Sequence, residues 1–539
     1  MDTTVASFIG FTFFVAIVSW LKIKHDKIKT NTNEGYFLGG RTLTGVIIAG
    51  SMLLTNLSTE QLIGLNGAGF AHGMVVIAWE STAALALIIG ALFFLPKYLS
   101  MRLITIPQYL ETRFDKITRT ITALLVIASY MLTLPPIVLY TGAINMESIF
   151  NISENLGVTQ ETGIWYTIVG IGLIGSLYAI LGGLRAIAFS DTLNGIGLII
   201  GGLAIPVLGF MYCGEGGFFQ GVKTVYTAIP DKFNAVGDEN SAMPFSVLFT
   251  GLIINQLYYW CMNQSIVQRA LGAKNLAEGQ KGLLVAGFFK TIIIPIIIII
   301  PGIIVFYINL KEGGLEQADF AYSWLLKKVL SPTWKGLFAA VIFGAILSTF
   351  NSVLNSAATL SSLGIYKGVI NKNATEKQTV QVGVIVSVAL TITSILIAPL
   401  FANASQGLFY TLQELNGIFF IPIGTIILVS MLYDKVPAIG AKSVLIFGTS
   451  FYILTKFVLD IPLHFIHIWG IEFVLNIGIM LACARWWPRI APVTPKYEDY
   501  PAEFVRPWRY AKIVSLMLAV VVILGYIVCS DIGKRFFLG

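Results

Sequence analysis

Charge is what this chain of 539 residues is short of: Asp, Glu, Lys and Arg make up only 12% of it. Soluble domains carry about 25%, and here 56% of the residues are hydrophobic instead. The chain therefore reads as an all-α polytopic membrane protein, for which length per soluble domain is the wrong guide. Cysteine is equally scarce. Cys213, Cys261, Cys483 and Cys529 show neither CxxC nor metal-ligand spacing, so no disulfide framework is indicated. His25, His72, His464 and His467 are scattered, and the last two read as a loop-to-helix junction rather than a metal site. No Walker A sequence or other phosphate-cradling loop is present, which disfavours ATP-driven pumping and leaves passive or ion-coupled transport. No catalytic constellation competes, so an enzyme is not expected. The net charge of +7 sits between apolar runs, not on one face. That fits the positive-inside rule better than a nucleic-acid partner.

Long hydrophobic runs are what the chain has in abundance. At roughly 17–25 apolar residues per crossing, about 14 spans can be placed. They lie near 4–22, 42–70, 74–99, 119–147, 164–183, 188–212, 244–263, 277–308, 336–365, 379–400, 405–433, 437–459, 464–484 and 511–530. The first run follows MDTT without a basic n-region, and Lys22, Lys24, Lys27 and Lys29 follow it in place of a cleavage site, so it reads as a retained span. Basic loops, including Lys97–Arg119 and Arg269–Lys281, alternate with mixed or acidic ones. With an even span count this places both termini of a multi-pass cell-membrane protein outside the cytoplasm. The polar intervals 213–243, 309–335 and 485–510 are too short for a soluble domain, so residues 1–539 form one transmembrane transporter domain.

Two spans are interrupted by polar residues. Ser51–Gly64 carries Thr55, Asn56, Ser58, Thr59, Glu60 and Gln61, and the span after it holds Glu80. The seventh span contains NQLYYWCMNQ, and the span after that holds Lys290. An uncompensated polar group in hydrocarbon costs several kcal/mol, and a broken hydrophobic span is the best pointer to a transporter site. The two breaks lie roughly five spans apart, an odd offset that would invert the second copy in the membrane. Residues 42–212 and 244–433 are thus expected as two inverted repeats, with 4–22 an extra first helix and 437–530 additional helices.

Glu80 and Lys290 are charges inside apolar helices, where each costs about 2.5–3.5 kcal/mol. They read either as a structural ion pair or, with Gln61, Gln256 and Gln413, as polar ligands for a neutral polyhydroxylated solute. No unpaired counter-charge for an ionic solute is apparent. Tyr258, Tyr259 and Trp260 offer an aromatic platform for a sugar ring or a plain packing cluster. In the ninth span, GAILSTFNSVLNSAAT presents Ser348, Thr349 and the Ala345 carbonyl on adjacent positions. Hard oxygen ligands suit an alkali cation, although small residues also pack helices. Asp191, beside Arg185, reads as a release-path carboxylate near Ser348 and Ser352 or as a salt bridge with Arg185.

At these residues the chain resembles the sodium/solute symporter family, and within it the bacterial sodium/glucose and sodium/galactose members. The resemblance rests on EGYFLGGRTL, TNLSTEQLIG, TIPQYLETRFD, YAILGGLRAIAFSD, LYYWCMNQSIVQRALGAKNLAEGQKG, STFNSVLNSAAT and LQELNGIF, in that order along nearly the whole chain. It implies a leucine-transporter-type fold and sodium as the coupling ion. It implies a sugar held by Asn56, Gln61, Glu80, Gln256, Lys290 and Gln413, with Tyr259 beneath it as inner gate and Leu65, Trp79 and Phe409 as outer gates. Sodium would lie on carbonyls of Leu54, Leu57 and Ala345 and hydroxyls of Ser348 and Thr349. Gln256 stands where a similar member has asparagine, Ala83 replaces a serine, and Asn351 replaces a serine at a second sodium position or release path with Asp191 and Ser352. One sodium is expected, with a second held open. The function expected is sodium-coupled import of a glucose- or galactose-like sugar, by a chain functional as a monomer, with a dimer left open. Alternatives are a sodium-coupled carrier of a sugar acid, carboxylate or amino acid, or a sugar-gated channel or sensor.

Overall fold

A computed structural model describes residues 2–24, 32–403, 407–489 and 503–533. Among them regular structure is helical, and the only sheet-like pairings are the bridges Leu43–Ala273 and Gly237–Pro244. A lipid interior offers backbone groups no water, so each crossing segment satisfies its own as a helix.

Among the described residues, ten helices are long and apolar enough to cross a membrane, with Thr3–Ser19 and Gly45–Asn56 as shorter apolar helices. The sequence leads to about 14 spans, and the structure shows how several of those runs are interrupted. The span at 42–70 breaks after α1 (Gly45–Asn56), where Leu57 leaves helical geometry at φ −83°, ψ 58°. Helix resumes at Glu60 and runs into α2 (Asn66–His72). Gly73, at φ +77°, then turns the chain toward α3 (Ala78–Ile89), a conformation that favours glycine. The span at 119–147 kinks at Thr133, between α4 (Lys116–Leu132) and α5 (Leu134–Phe150). Pro135 and Pro136 suit that first turn, because an amide there has no helical partner to lose.

The two spans expected at 164–183 and 188–212 belong to one continuous helix, α6 (Gln160–Cys213). The span at 244–263 is broken like 42–70. It comprises α7 (Gly251–Cys261) and α8 (Gln264–Leu271), joined by Met262 and Asn263. Asn263 caps α8 by accepting from the Ser265 amide at 3.0 Å. There follow α9 (Leu276–Phe288), α10 (Ile294–Glu312), α11 (Pro332–Thr359), the helix Glu376–Ile397, α12 (Leu408–Leu432), the helix Ala438–Tyr452, α13 (Phe465–Trp486) and the helix Ala511–Val528. Straight, α6 would be about 81 Å long. Yet Gly175 meets Phe350 and Gly201 meets Phe338 on α11, partners only about 18 Å apart along that helix. The helix α6 therefore bends between them.

The site helices pack around α1, which lies against α6, α9 and α11, while α2 lies against α10 and α7 against α3 and α12. Close approach depends on small residues. A Cβ on Gly302 of α10 would lie 2.3 Å from the Asn66 carbonyl, and the Asn66 side chain donates to the Ile298 carbonyl at 2.6 Å. Gly302→Val should therefore destabilise the protein by about 1–3 kcal/mol, read as a lower unfolding midpoint in detergent. An unchanged midpoint would show that α2 and α10 separate without cost.

Candidate solute and cation sites

The break after α1 leaves backbone groups to be satisfied in a dry interior. The Thr55 carbonyl accepts from the Thr349 hydroxyl of α11 at 2.6 Å. The Thr55 hydroxyl lies 3.1 Å from that of Ser352 and 3.5 Å from that of Ser348. Among the described residues, the carbonyls of Leu54 and Leu57 receive no hydrogen bond from beyond their own helical segment. Buried carbonyls in that condition call for water or a cation, and an oxygen-only donor set fits sodium. Leu54, Leu57, Ala345, Ser348 and Thr349 are all buried along this α1–α11 seam, so the residues expected to hold sodium suit it.

Asp191, on α6, joins the seam through Ser51, whose hydroxyl donates to its carboxylate at 2.7 Å. The side chain of Arg185 lies outside the described residues, so the alternative pairing does too. Among the described residues, Arg269 approaches Asp191, although the sequence places it among the loop charges. It is instead fully buried on α8. Its Nε donates to Ser51 at 3.2 Å, and its other nitrogens reach the Ser265 carbonyl and the Ser352 hydroxyl. The segment after the second break carries Arg269 inward, where hydroxyl oxygens and Asp191 compensate its charge. Asn351 is buried beside Ser352, and its side-chain oxygen has no partner.

A cavity of about 40 Å³ lies at the centre of the molecule, far smaller than the roughly 300–1,000 Å³ of a typical ligand pocket. All seven expected solute ligands line it: Asn56, Gln61, Glu80, Gln256, Tyr259, Lys290 and Gln413. They arrive from α1, the resumed helix, α3, α7, the α9–α10 junction and α12. Lys290 forms an ion pair with Glu80, each about 1% exposed, and donates to the Asn56 side-chain oxygen at 2.5 Å. The Asn56 amide donates in turn to the Tyr259 hydroxyl at 3.1 Å. Gln256 donates to the Trp79 carbonyl at 2.8 Å and accepts from the Trp260 indole at 3.1 Å. The Gln61 side-chain oxygen has no partner.

Trp79 and Phe409 meet edge to face at 5.4 Å on one wall of this cavity. Phe409 also lines a second cavity of about 930 Å³, so it stands between the two. Leu65 does not. It is fully buried and lines neither cavity, because Gly64 takes the position facing Phe409. One residue further on, the helix has turned about 100° away. The larger cavity is bordered by the Lys456–Glu414 pair at 3.2 Å and by Asp319 in the loop Ala318–Phe320. Burial pushes the Asp319 carboxyl up to about 6, against a lowering contribution from the Leu408 amide.

One cavity residue departs from the sequence reading. Glu60 lies in the same wall as Gln61, is 2% exposed, and has a carboxylate oxygen without a partner. The expectation that no unpaired charge faces the solute fails at this position. The signal was Glu60's place beside Gln61 in the polar interruption.

Lys290→Met should strand the Glu80 carboxylate and cost about 3–5 kcal/mol. Adding Glu80→Gln should recover the unfolding midpoint without restoring solute binding. A double variant no more stable than the single one would mean the pair is not what stabilises this wall.

Residues 36–448 match the Sodium:solute symporter family. The "Uncharacterized symporter YidK" of Escherichia coli (strain K12) is 42% identical over 529 residues, covering 98% of this chain and 91% of that protein. The "Sodium/glucose cotransporter" of Vibrio parahaemolyticus is 32% identical over 472 residues, covering 83% of this chain and 84% of that one. In fold, a solved Na+-coupled sialic acid symporter is similar with a TM-score of 0.77 at 19% identity, over 91% of this chain and 99% of that one. The nucleobase-cation-symport-1 transporter MHP1 reaches a TM-score of 0.51 at 17% identity, over 86% and 98%. With sequence relatives of this kind and ten membrane-length helices, the chain belongs to the sodium:solute symporter family and is a multi-pass, sodium-coupled transporter, not an enzyme.

Proposed function

We propose that the chain imports a neutral, glucose- or galactose-like sugar with sodium, by alternating access between two inverted five-helix repeats. The observation that carries the solute class is the Lys290–Glu80 pair and its hydrogen bond to Asn56, which cancel a charge while leaving donors and acceptors at one cavity. Gln61 and Gln413 add amides to the same wall. A hydroxyl-rich solute can exchange hydrogen bonds with such groups. The "Sodium/glucose cotransporter" among the relatives supports the reading.

In this reading sodium binds first, on the Leu54 and Leu57 carbonyls and across to Ala345, Ser348 and Thr349. That ties α1 to α11 and holds the broken segment so that Asn56 and Gln61 face the sugar. Closure of Trp79 and Phe409 then commits both ligands, and Tyr259 moves aside for release inward. Asp191 and Ser352 form the cation's release path. One sodium per sugar would gain about 2.3 kcal/mol from each 100 mV of potential. The protein works as a monomer in a bacterial inner membrane with both termini outside the cytoplasm.

Purified protein in proteoliposomes, given an inward sodium gradient and labelled galactose, should accumulate the sugar above equilibrium. Equilibration without accumulation would indicate a channel or sensor instead. Uptake of a sugar acid or amino acid in its place would move the solute to another class. Thr349→Ala should raise the half-saturating sodium concentration by about tenfold, the order expected from losing a hydroxyl and its compensation. Unaltered sodium dependence would put the cation elsewhere.

A further inference from the structure

We propose that Glu60 sets the charge selectivity of the central cavity: it accepts a hydroxyl or ammonium proton from the solute and turns carboxylate-bearing sugars away. This rests on the central cavity being the solute site.

The ionisable side chains that line the cavity do not pair off one to one. Its lining holds two carboxylates, Glu60 and Glu80, and one cation, Lys290. The Lys290 ammonium is taken up by Glu80 and by Asn56. Glu60 makes no ion pair among the described residues and keeps one oxygen unpartnered although almost wholly buried. A buried carboxyl left so is costly unless a donor reaches it. The same lining keeps other acceptors open. Gln61 also has an unpartnered side-chain oxygen, and the Gln256 amide and Trp260 indole are spent on protein partners. A solute bringing hydroxyl or ammonium hydrogens would complete these groups. A solute carboxylate would bring a further acidic group beside Glu60, in a dry lining whose lysine is already paired, a contact that opposes binding.

Glu60 is also placed by the break. It begins the helical turn that resumes after Leu57, next to the carbonyls assigned to sodium. Cation and solute donor would thus meet neighbouring residues of one short segment.

The test compares three probes of one shape, D-galactose, D-galactosamine and D-galacturonate, by thermal shift of the sodium-loaded full chain in detergent. Wild type should bind galacturonate at least about tenfold more weakly than the neutral sugar, and galactosamine at least as well as galactose. Glu60→Gln should bring galacturonate within about threefold of galactose and remove any advantage of galactosamine. Wild type that binds galacturonate as well as galactose overturns the proposal. So does a Glu60→Gln variant weakened equally toward all three probes, since that marks a merely structural residue. Silence of both proteins toward every probe removes the hexose reading instead. In that case, or if Glu60→Gln does not fold, dicyclohexylcarbodiimide labelling of wild type decides. Peptide mapping that finds Glu60 modified well ahead of the ion-paired Glu80 sustains the proposal, and equal modification or Glu80 first overturns it.

Discussion

A helix that stops halfway through a membrane must find partners for the groups it frees, and no water is on hand to supply them. Here that requirement falls on Leu57 to Thr59. One freed carbonyl, that of Thr55, is answered by Thr349, while among the described residues those of Leu54 and Leu57 receive no hydrogen bond from beyond their own helical segment. A few residues on, Glu60 and Gln61 turn toward the central cavity. The segment is short and its two ends are fixed by packed helices. Anything that changes its cation side bears on its solute side, which is the physical basis of coupling in the function proposed above.

Buried charge follows the same logic. Lys290 and Glu80 come from different helices and are tolerable only because they meet. Arg269 reaches the interior beyond the second break and is held by three hydroxyl or carbonyl oxygens near Asp191. Each interrupted span thus brings polar groups to depth where a partner waits on another segment. Glu60 stands apart, because its missing partner is sought in the solute.

Much of the cavity's lining was legible from residue type alone. A glutamate or lysine inside an apolar run is conspicuous because its cost there is large, so Glu80 and Lys290 announce themselves. Amides such as Gln61, Gln256 and Gln413 do the same more quietly. Glu60 and Arg269 were hidden because polar neighbours make a charge look exposed in sequence, whereas helix direction after a break decides whether it enters the core. Leu65 shows the converse. Its hydrophobicity suits a gate, yet the phase of the resumed helix gives that face to Gly64. A hydropathy window cannot register that a run is broken at Leu57 or Met262, or that α6 stays helical across two expected spans.

Composition and order along the chain determined that the protein lives in a membrane, that two of its helices are interrupted, and that the interruptions carry oxygen-rich chemistry. These are local properties, fixed by the cost of placing each residue type in hydrocarbon. Only the tertiary structure decided which interruptions meet which helices. Thr55 finds Ser352, Asn56 finds Lys290 and Ser51 finds Asp191 across long stretches of chain. Such meetings depend on helix phase and packing, which no single segment specifies for itself.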